Sequence, residues 1–281
     1  MIPTGFGLDP QSVFDVRDVV FAYDRAHDRA HAPLSLNRVS LTVRPGERVA
    51  VLGANGSGKS TLLKILDGLY FPAQGSVAAF GRPLTERALR DDAFNFAFRR
   101  AVGLVFQDSD VQLFSPSVWD EVAFAPLQLG LSHAEVRARV EAALLELRIE
   151  QLRARPPHRL SGGEKKRVAI ASVLSLDPGV WLLDEPTAGL DPRSQAWLVD
   201  FLVGQSRRGK TIIAATHDLA IVETIADRVV LLDEQHQLVA DCTPAEALAD
   251  RALLAACNLA QESRAFSVGW PLTDSLTLEE Q

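Results

Sequence analysis

The chain has 281 residues, room for one large domain or two small ones. Apolar residues make up 47% and charged residues 23%, the composition of a packed core, which excludes a disordered, collagen-like or coiled-coil chain. The net charge is −7, and from Ala240 onward seven acids stand against two bases, so generic binding to nucleic acid or anionic lipid is disfavoured.

The opening, MIPTGFGLDPQ, has neither a basic stretch nor an apolar core and does not read as a signal peptide. No apolar run approaches the roughly 18 residues needed to span a bilayer. Cys242 and Cys257 match no metal spacing and read as free cytosolic thiols. A soluble, intracellular protein is expected, with any work at a membrane done through a partner. Between Val13 and Gly53 apolar runs at Val16–Phe21, Val39–Val43 and Val49–Leu52, broken by Pro45-Gly46, predict strands. The polar connection from Asp24 to Pro33 repeats Asp-Arg-Ala-His. Its His27 and His31 read as part of a solvated loop rather than a metal site, because no carboxylate or third nitrogen is fixed nearby.

Gly53-Ala-Asn55-Gly56-Ser57-Gly58-Lys59-Ser60-Thr61 follows an apolar strand and precedes the helical run Leu62–Leu66, the P-loop pattern in its required context. Glycines let successive backbone N–H groups wrap phosphate oxygens, and the helix N-terminus adds its dipole. Ser60 is placed to ligate Mg²⁺. Only five residues of the chain are lysines, so Lys59 is not the local habit. It suits a compact point charge on the β and γ phosphates.

Further along, Ser132 and Glu135 predict a capping box ahead of Val136, Val140, Leu144 and Leu147 on one helix face. A helix is expected from Ser161. Beyond it the chain alternates: strand Val180–Leu183, helix from Pro192, strand Thr211–Ala215, helix from Leu219, strand Arg228–Leu232. This predicts a parallel sheet covered on both faces. Thr243-Pro244-Ala-Glu246 starts a short tail helix whose Leu248, Leu253 and Leu254 need a partner surface.

The strand Val180–Asp184 ends in two adjacent acids, Asp184 and Glu185. Alternation along a strand keeps them from pointing the same way, so Asp184 is assigned to the metal and Glu185 to activation of the attacking water. Leu160-Ser161-Gly162-Gly163-Glu164 combines a capping box with two glycines that cost helix stability. The glycines make sense if a phosphate must approach the helix N-terminus closely.

With these motifs the sequence resembles the nucleotide-binding subunit of ABC transporters over about Phe14 to Ala240. The resemblance implies an α/β fold, a P-loop NTPase ABC cassette over 12–240. Its parts would be a RecA-like mixed-sheet core, an antiparallel β subdomain and an α-helical subdomain at about 108–175. It implies ATP and Mg²⁺ as ligands and a second ATPase chain, each P-loop facing the partner's Ser161–Gly163. Tyr23 looks like the aromatic that stacks on adenine and Gln107 like the glutamine that touches Mg²⁺ and water. Asp191 in Gly189-Leu190-Asp191 looks like the loop that crosses the dimer interface, and His217 like the switch histidine on the γ-phosphate. The tail 241–281 would be a regulatory or dimer-stabilising extension. Soluble ABC ATPases of DNA repair or translation are disfavoured by the single P-loop and by the short span from Gln107 to Leu160. A non-hydrolysing binder is disfavoured because Lys59, Asp184, Glu185 and His217 are all present.

Asp108-Ser-Asp-Val-Gln112-Leu113-Phe114 is similar to energy-coupling-factor ATPases, especially those for cobalt or nickel uptake, although Ser109 and Val111 replace a usual Pro and Asp. That resemblance implies a transmembrane energy-coupling subunit and a substrate-binding membrane subunit as partners, with a place at the cytoplasmic face of the membrane. Leu113, Phe114, Val118 and Trp119 then read as a docking groove, rimmed by Asp110, Asp120 and Glu121 to receive a basic residue. Val122 and Phe124 are expected to turn inward.

Overall fold

The computed structural model describes residues 11–23 and 33–260, so the His27/His31 repeat and the end of the tail lie outside the described residues. The chain opens with strands β1 (Phe14–Phe21), β2 (Leu36–Val43) and β3 (Arg48–Leu52), then helix α1 (Lys59–Leu66). Strands β4 (Gln74–Ala79) and β5 (Arg82–Pro83) lead to α2 (Asp92–Ala101) and β6 (Val102–Val105). Helices α3 (Ser109–Gln112), α4 (Val118–Gln128), α5 (His133–Glu146) and α6 (Gly162–Leu174) follow with no strand between them. Then β7 (Val180–Asp184), α7 (Pro192–Arg207), β8 (Thr211–Thr216), α8 (Leu219–Ile225) and β9 (Arg228–Leu232) alternate, before β10 (Leu238–Cys242), α9 (Pro244–Ala249) and α10 (Arg251–Ala256). No helix among the described residues is long and apolar enough to cross a membrane.

The strands form two sheets. One is four-stranded and antiparallel, ordered β2-β1-β4-β5; the other is six-stranded, ordered β10-β9-β3-β8-β7-β6. The second is parallel except for its edge strand β10, which runs antiparallel to β9. Its five parallel strands are buried on both faces, and alternation sorts their side chains into two cores. Ala50 and Leu52, Trp181 and Leu183, Ile212 and Ala214 enter the core shared with α4, α5 and α6. Their neighbours Val49 and Val51, Val180 and Leu182, Ile213 and Ala215 enter the core shared with the antiparallel sheet, α1 and α2. The parallel sheet is thus the partition of the molecule, and the loops at its strand ends lie where both halves can reach them.

The local start signals behave as their chemistry dictates. Ser132 with Glu135, Ser161 with Glu164 and Thr243 with Glu246 each close a reciprocal capping box. Val136, Val140, Leu144 and Leu147 are all buried along the α5 face.

The separation of a tail at residue 240 does not hold for its first part. Residue 240 lies inside β10, and Arg228 holds Asp241 through two guanidinium hydrogen bonds of 2.6 Å. Ala247, Leu254 and Cys257 are buried in the same core as Val222, Ile225 and Val229. The surface that α9 and α10 need is therefore supplied by α8 and β9 of this chain. Ending the chain after Val239 should remove that burial and the β10 pairing at a cost on the order of 4 kcal/mol. For a chain of this size that corresponds to a fall of about 10 °C in melting midpoint. Melting at the full-length temperature would mean that residues 240–260 stabilise nothing.

Candidate functional site

The chain leaves β3 at Leu52, turns through Gly53–Gly58 and enters α1 at Lys59. Gly58 has φ +107, and a Cβ there would lie 2.2 Å from the Ser35 carbonyl oxygen, so only glycine fits. At Gly56, φ +87, a Cβ would meet nothing within 4 Å, so the loop crest is open to a ligand's close approach. Lys59 is buried and donates to the carbonyls of Gly53 (2.8 Å) and Ala54 (3.0 Å). Ser57 Oγ is buried with no hydrogen-bond partner among the described residues, packed so close to Gly53 that a Cβ there would lie 2.4 Å from it.

Asp184 ends β7 and accepts a 2.8 Å hydrogen bond from Ser60 Oγ. Burial raises its carboxyl above the usual range, the Ser60 hydrogen bond opposes this, and the neighbouring Glu185 charge adds to it. Glu185 departs from the strand with φ +41, a left-handed conformation for a non-glycine residue. Strict alternation therefore stops at Asp184, and the expectation that the two acids face apart is corrected: both reach the P-loop. Glu185 is buried, with Oε2 2.9 Å from His217 Nδ1 and Oε1 3.4 Å from Lys59 Nζ. Oε1 makes no hydrogen bond. One carboxylate oxygen is thus held by His217, while the other faces the Lys59 ammonium without a hydrogen bond.

A cleft of about 400 Å³ is lined by Tyr23, Asn55, Lys59, Ser60, Gln107 and Glu185, with Gly58 and Thr61 at its wall; Asp184 and His217 lie behind Ser60 and Glu185. Tyr23, 53% exposed, is braced by edge-on contacts to Phe21 and Tyr70. Its hydroxyl bonds Thr61 Oγ1 at 2.9 Å, so the ring is a fixed platform rather than a free side chain. Sequence reasoning missed Thr61's part in this; only the fold brings it to Tyr23.

Ser161, Gly162 and Gly163 lie elsewhere, in a second cleft of about 430 Å³ with Arg148, Asp191 and Ser194, and no P-loop residue lines it. A Cβ at Gly162 would meet nothing within 4 Å and one at Gly163 only Ser194 Oγ at 3.3 Å. Among the described residues, packing therefore asks only that Ser194 shift slightly at Gly163 and gives no reason for a helix-weakening glycine at Gly162. Asp191 caps α7, accepting from the Arg193 and Ser194 amides at 3.0 Å and from Ser194 Oγ at 2.7 Å. Those hydrogen bonds, the Ser194 hydroxyl first, hold its carboxyl below the usual range.

The third feature is an apolar groove of about 490 Å³ between α2 and α4, lined by Leu69, Phe96, Leu104, Phe114 and Phe124. Phe114 is 66% exposed, as expected. The predicted surface is corrected in several parts: Val118 is fully buried and Trp119 packs half-buried against the core, and neither lines the groove. Glu121 lines the groove but is only 3% exposed and accepts from the Phe114 (2.9 Å) and Ser115 (2.7 Å) amides, so it shapes the loop instead of standing free to receive a basic residue. Leu113 turns inward against the core. Val122 is buried, whereas Phe124 is 42% exposed and meets Phe114 edge-on at 4.9 Å. Phe96 was unforeseen, although a signal existed: Phe94 and Phe98, four apart on α2, are buried, so the phenylalanine midway between them faces out.

The ABC transporter family matches residues 36–188. The nickel import ATP-binding protein NikO of Rhodobacter capsulatus is 52% identical over 249 residues, 88% of this chain and 95% of that protein. The cobalt import ATP-binding protein CbiO of the same organism is 48% identical over 221 residues, 79% of this chain and 77% of that protein. The solved structure of CbiO1 from Clostridium perfringens, part of the ABC transporter complex CbiONQ, superimposes with a TM-score of 0.72 at 35% identity, covering 89% of this chain and 95% of that one. With the P-loop, the Asp184–Glu185 pair and the Ser161–Gly163 turn placed as described, the chain belongs to the ABC transporter family as an ATP-binding, ATP-hydrolysing subunit.

Proposed function

We propose that this chain is the motor of an energy-coupling-factor importer of nickel or cobalt ions, working as two copies that close around two ATP molecules. One observation carries the two-copy reading: the P-loop cleft and the Ser161–Gly163 cleft are separate in a single chain. Each is half of a site, one rich in phosphate-binding groups and the other open above Gly162, where a Cβ would meet nothing within 4 Å. The nickel and cobalt assignment draws on the relatives' activities. The nucleotide-binding unit runs from about residue 12 through α10, with α3–α6 as its helical part.

The donor set fits Mg²⁺, a hard cation that takes oxygen ligands: Ser60 Oγ and Asp184 Oδ1 lie 2.8 Å apart at the cleft, and Gln107 lines the same wall. Bound there with ATP, the ion offsets charge on the phosphates. Lys59 leaves the Gly53 and Ala54 carbonyls to meet the β and γ phosphates, and Tyr23 stacks on the adenine. Glu185 accepts a proton from the attacking water through Oε1, which Lys59 gives up as it turns to the phosphates, while His217 fixes the other oxygen and borders the γ-phosphate. Asp191 orders the start of α7 at the surface facing the second copy.

The chain sits at the cytoplasmic face of the membrane, and the Phe114–Phe124 groove receives a helix of the transmembrane energy-coupling subunit, which stands beside a substrate-binding membrane subunit. Phe114→Asp should leave ATP affinity within about twofold, because Phe114 does not line the nucleotide cleft, and should lower metal-ion uptake at least tenfold by burying an unpaired charge in the groove. Co-purification of the membrane subunits with the variant, together with radioactive nickel uptake, reads both. Normal uptake would remove the groove from the transport path.

A further inference from the structure

Three of the five lysines in this arginine-rich chain are buried: Lys59, Lys166 and Lys210 are 5%, 3% and 6% exposed. All three donate to backbone carbonyls, Lys59 to Gly53 and Ala54, Lys210 to Asp177, and Lys166 to Phe106 and Gln107. An ammonium is a compact charge with three N–H donors, and it can sit among carbonyls where a planar guanidinium does not fit. Lys59 belongs to the nucleotide site, and Lys210 also has the Asp177 carboxylate at 2.6 Å. Lys166 has no carboxylate at ion-pair distance among the described residues, and burial holds its amine below the usual lysine range, against a weaker pull from Asp184 and Asp108. A buried ammonium answered by carbonyls alone is costly to keep, so what it holds matters.

It holds the segment that leaves β6. Pairing of β6 with β7 ends at Val105–Leu183, so the Phe106 and Gln107 carbonyls have no strand partner and take Lys166 Nζ instead, at 3.1 and 2.8 Å. The same segment is tied to α6 again further on. Gln112 Nε2 donates to the Ala169 carbonyl (2.9 Å) and to Ser172 Oγ (3.1 Å), and Gln112 Oε1 accepts from the Phe106 amide (3.2 Å). Lys165 pairs with Asp110 at 2.6 Å. Glu121 then fixes the following residues, Phe114 and Ser115. From Phe106 to Ser115 the segment is bound at every few residues to α6 or α4, and α6 begins at Ser161–Gly163.

We propose that Lys166 is a positioning residue whose ammonium fastens the Gln107 segment to the first turns of α6, so that Gln107 in one nucleotide site and Ser161–Gly163, which face the other, move as one piece. The inference rests on the two-copy reading above. A helix pressing on Phe114 and Phe124 then displaces this whole piece instead of a single loop, and the ammonium ties it directly at the Gln107 backbone.

The test uses the full chain with Lys166→Met, which keeps length without a donor, and Lys166→Gln, which keeps one donor group without charge and stands in if the methionine variant fails to fold. In Lys166→Met, amide hydrogen exchange over residues 106–112 should quicken about tenfold or more while residues 53–61 are unchanged. The kcat for ATP should fall about tenfold with KM within about twofold, and Lys166→Gln should lie between. In a Gln107→Ala background, Lys166→Met should lower kcat no further, because both act through one group. Exchange at the unsubstituted rate, or losses that multiply to about a hundredfold, would overturn the proposal and leave Lys166 a stabilising residue only. A Lys166→Met loss that persists where Gln107→Ala alone keeps full kcat would overturn it as well. Failure of the two-copy reading shows separately, as an unsubstituted chain that stays monomeric at saturating ATP.

Discussion

In Glu185→Gln, ATP turnover should fall by about 10²–10⁴-fold, the usual contribution of a positioned general base, with ATP affinity retained. The amide keeps the carboxylate's shape and still accepts at one oxygen, so the 2.9 Å contact to His217 Nδ1 survives. What disappears is the capacity of Oε1, which makes no hydrogen bond in the chain, to take a proton. The buried position also loses its charge opposite Lys59, whose ammonium is then answered only by the Gly53 and Ala54 carbonyls until the phosphates bind. Single-turnover hydrolysis alongside equilibrium binding of ATP checks both halves. Turnover within about tenfold of the unsubstituted chain would move the base elsewhere.

Lys59→Ala should fail differently, losing affinity and turnover together. Its ammonium is the buried cation of the P-loop cleft, and removing one such preorganised group from a reacting phosphate costs on the order of 10²–10³ in rate. The substitution also strips Glu185 of its buried counter-charge, leaving only the half-exposed His217 beside it. The variant should therefore bind ATP more weakly as well as hydrolyse it more slowly, whereas Glu185→Gln keeps binding. Near-normal kcat/KM in a folded Lys59→Ala chain would contradict the placement of the phosphates.

The nucleotide machinery was legible in the sequence because each part is contiguous and tied to a strand end or a helix start. Gly53–Thr61 sits between β3 and α1, Asp184 ends β7, and Ser161 with Glu164 writes the start of α6 in four letters. Strand alternation predicted the two-faced sheet for the same reason: it is a local rule. Alternation failed at Glu185, where a left-handed backbone that no neighbouring glycine announces turns the second acid back to the site. The groove was legible only in part. Its walls come from Leu69, from α2 and α4, and from Leu104 and Phe114 outside those helices, and the roles of Glu121 and Phe124 depend on which of these pack together. The tail misled because acidity and a fresh helix start look like a boundary, while the deciding fact, burial of Ala247, Leu254 and Cys257 against α8 and β9, is long-range. Lys166 carried a signal, as one of few lysines, but nothing in the sequence points its amine at residues 106 and 107.

The central claim is that each ATP is enclosed by the P-loop of one copy and the Ser161–Gly163 turn of another. The most direct measurement is the solution mass of the Glu185→Gln chain, which binds ATP without consuming it, by light scattering during gel filtration at saturating ATP and Mg²⁺. The account predicts twice the 30.6 kDa of one chain with ATP, and a return to a single chain when Gly163→Asp is added to block the phosphate's approach. A mass of one chain with ATP bound, or a dimer indifferent to Gly163→Asp, would contradict it.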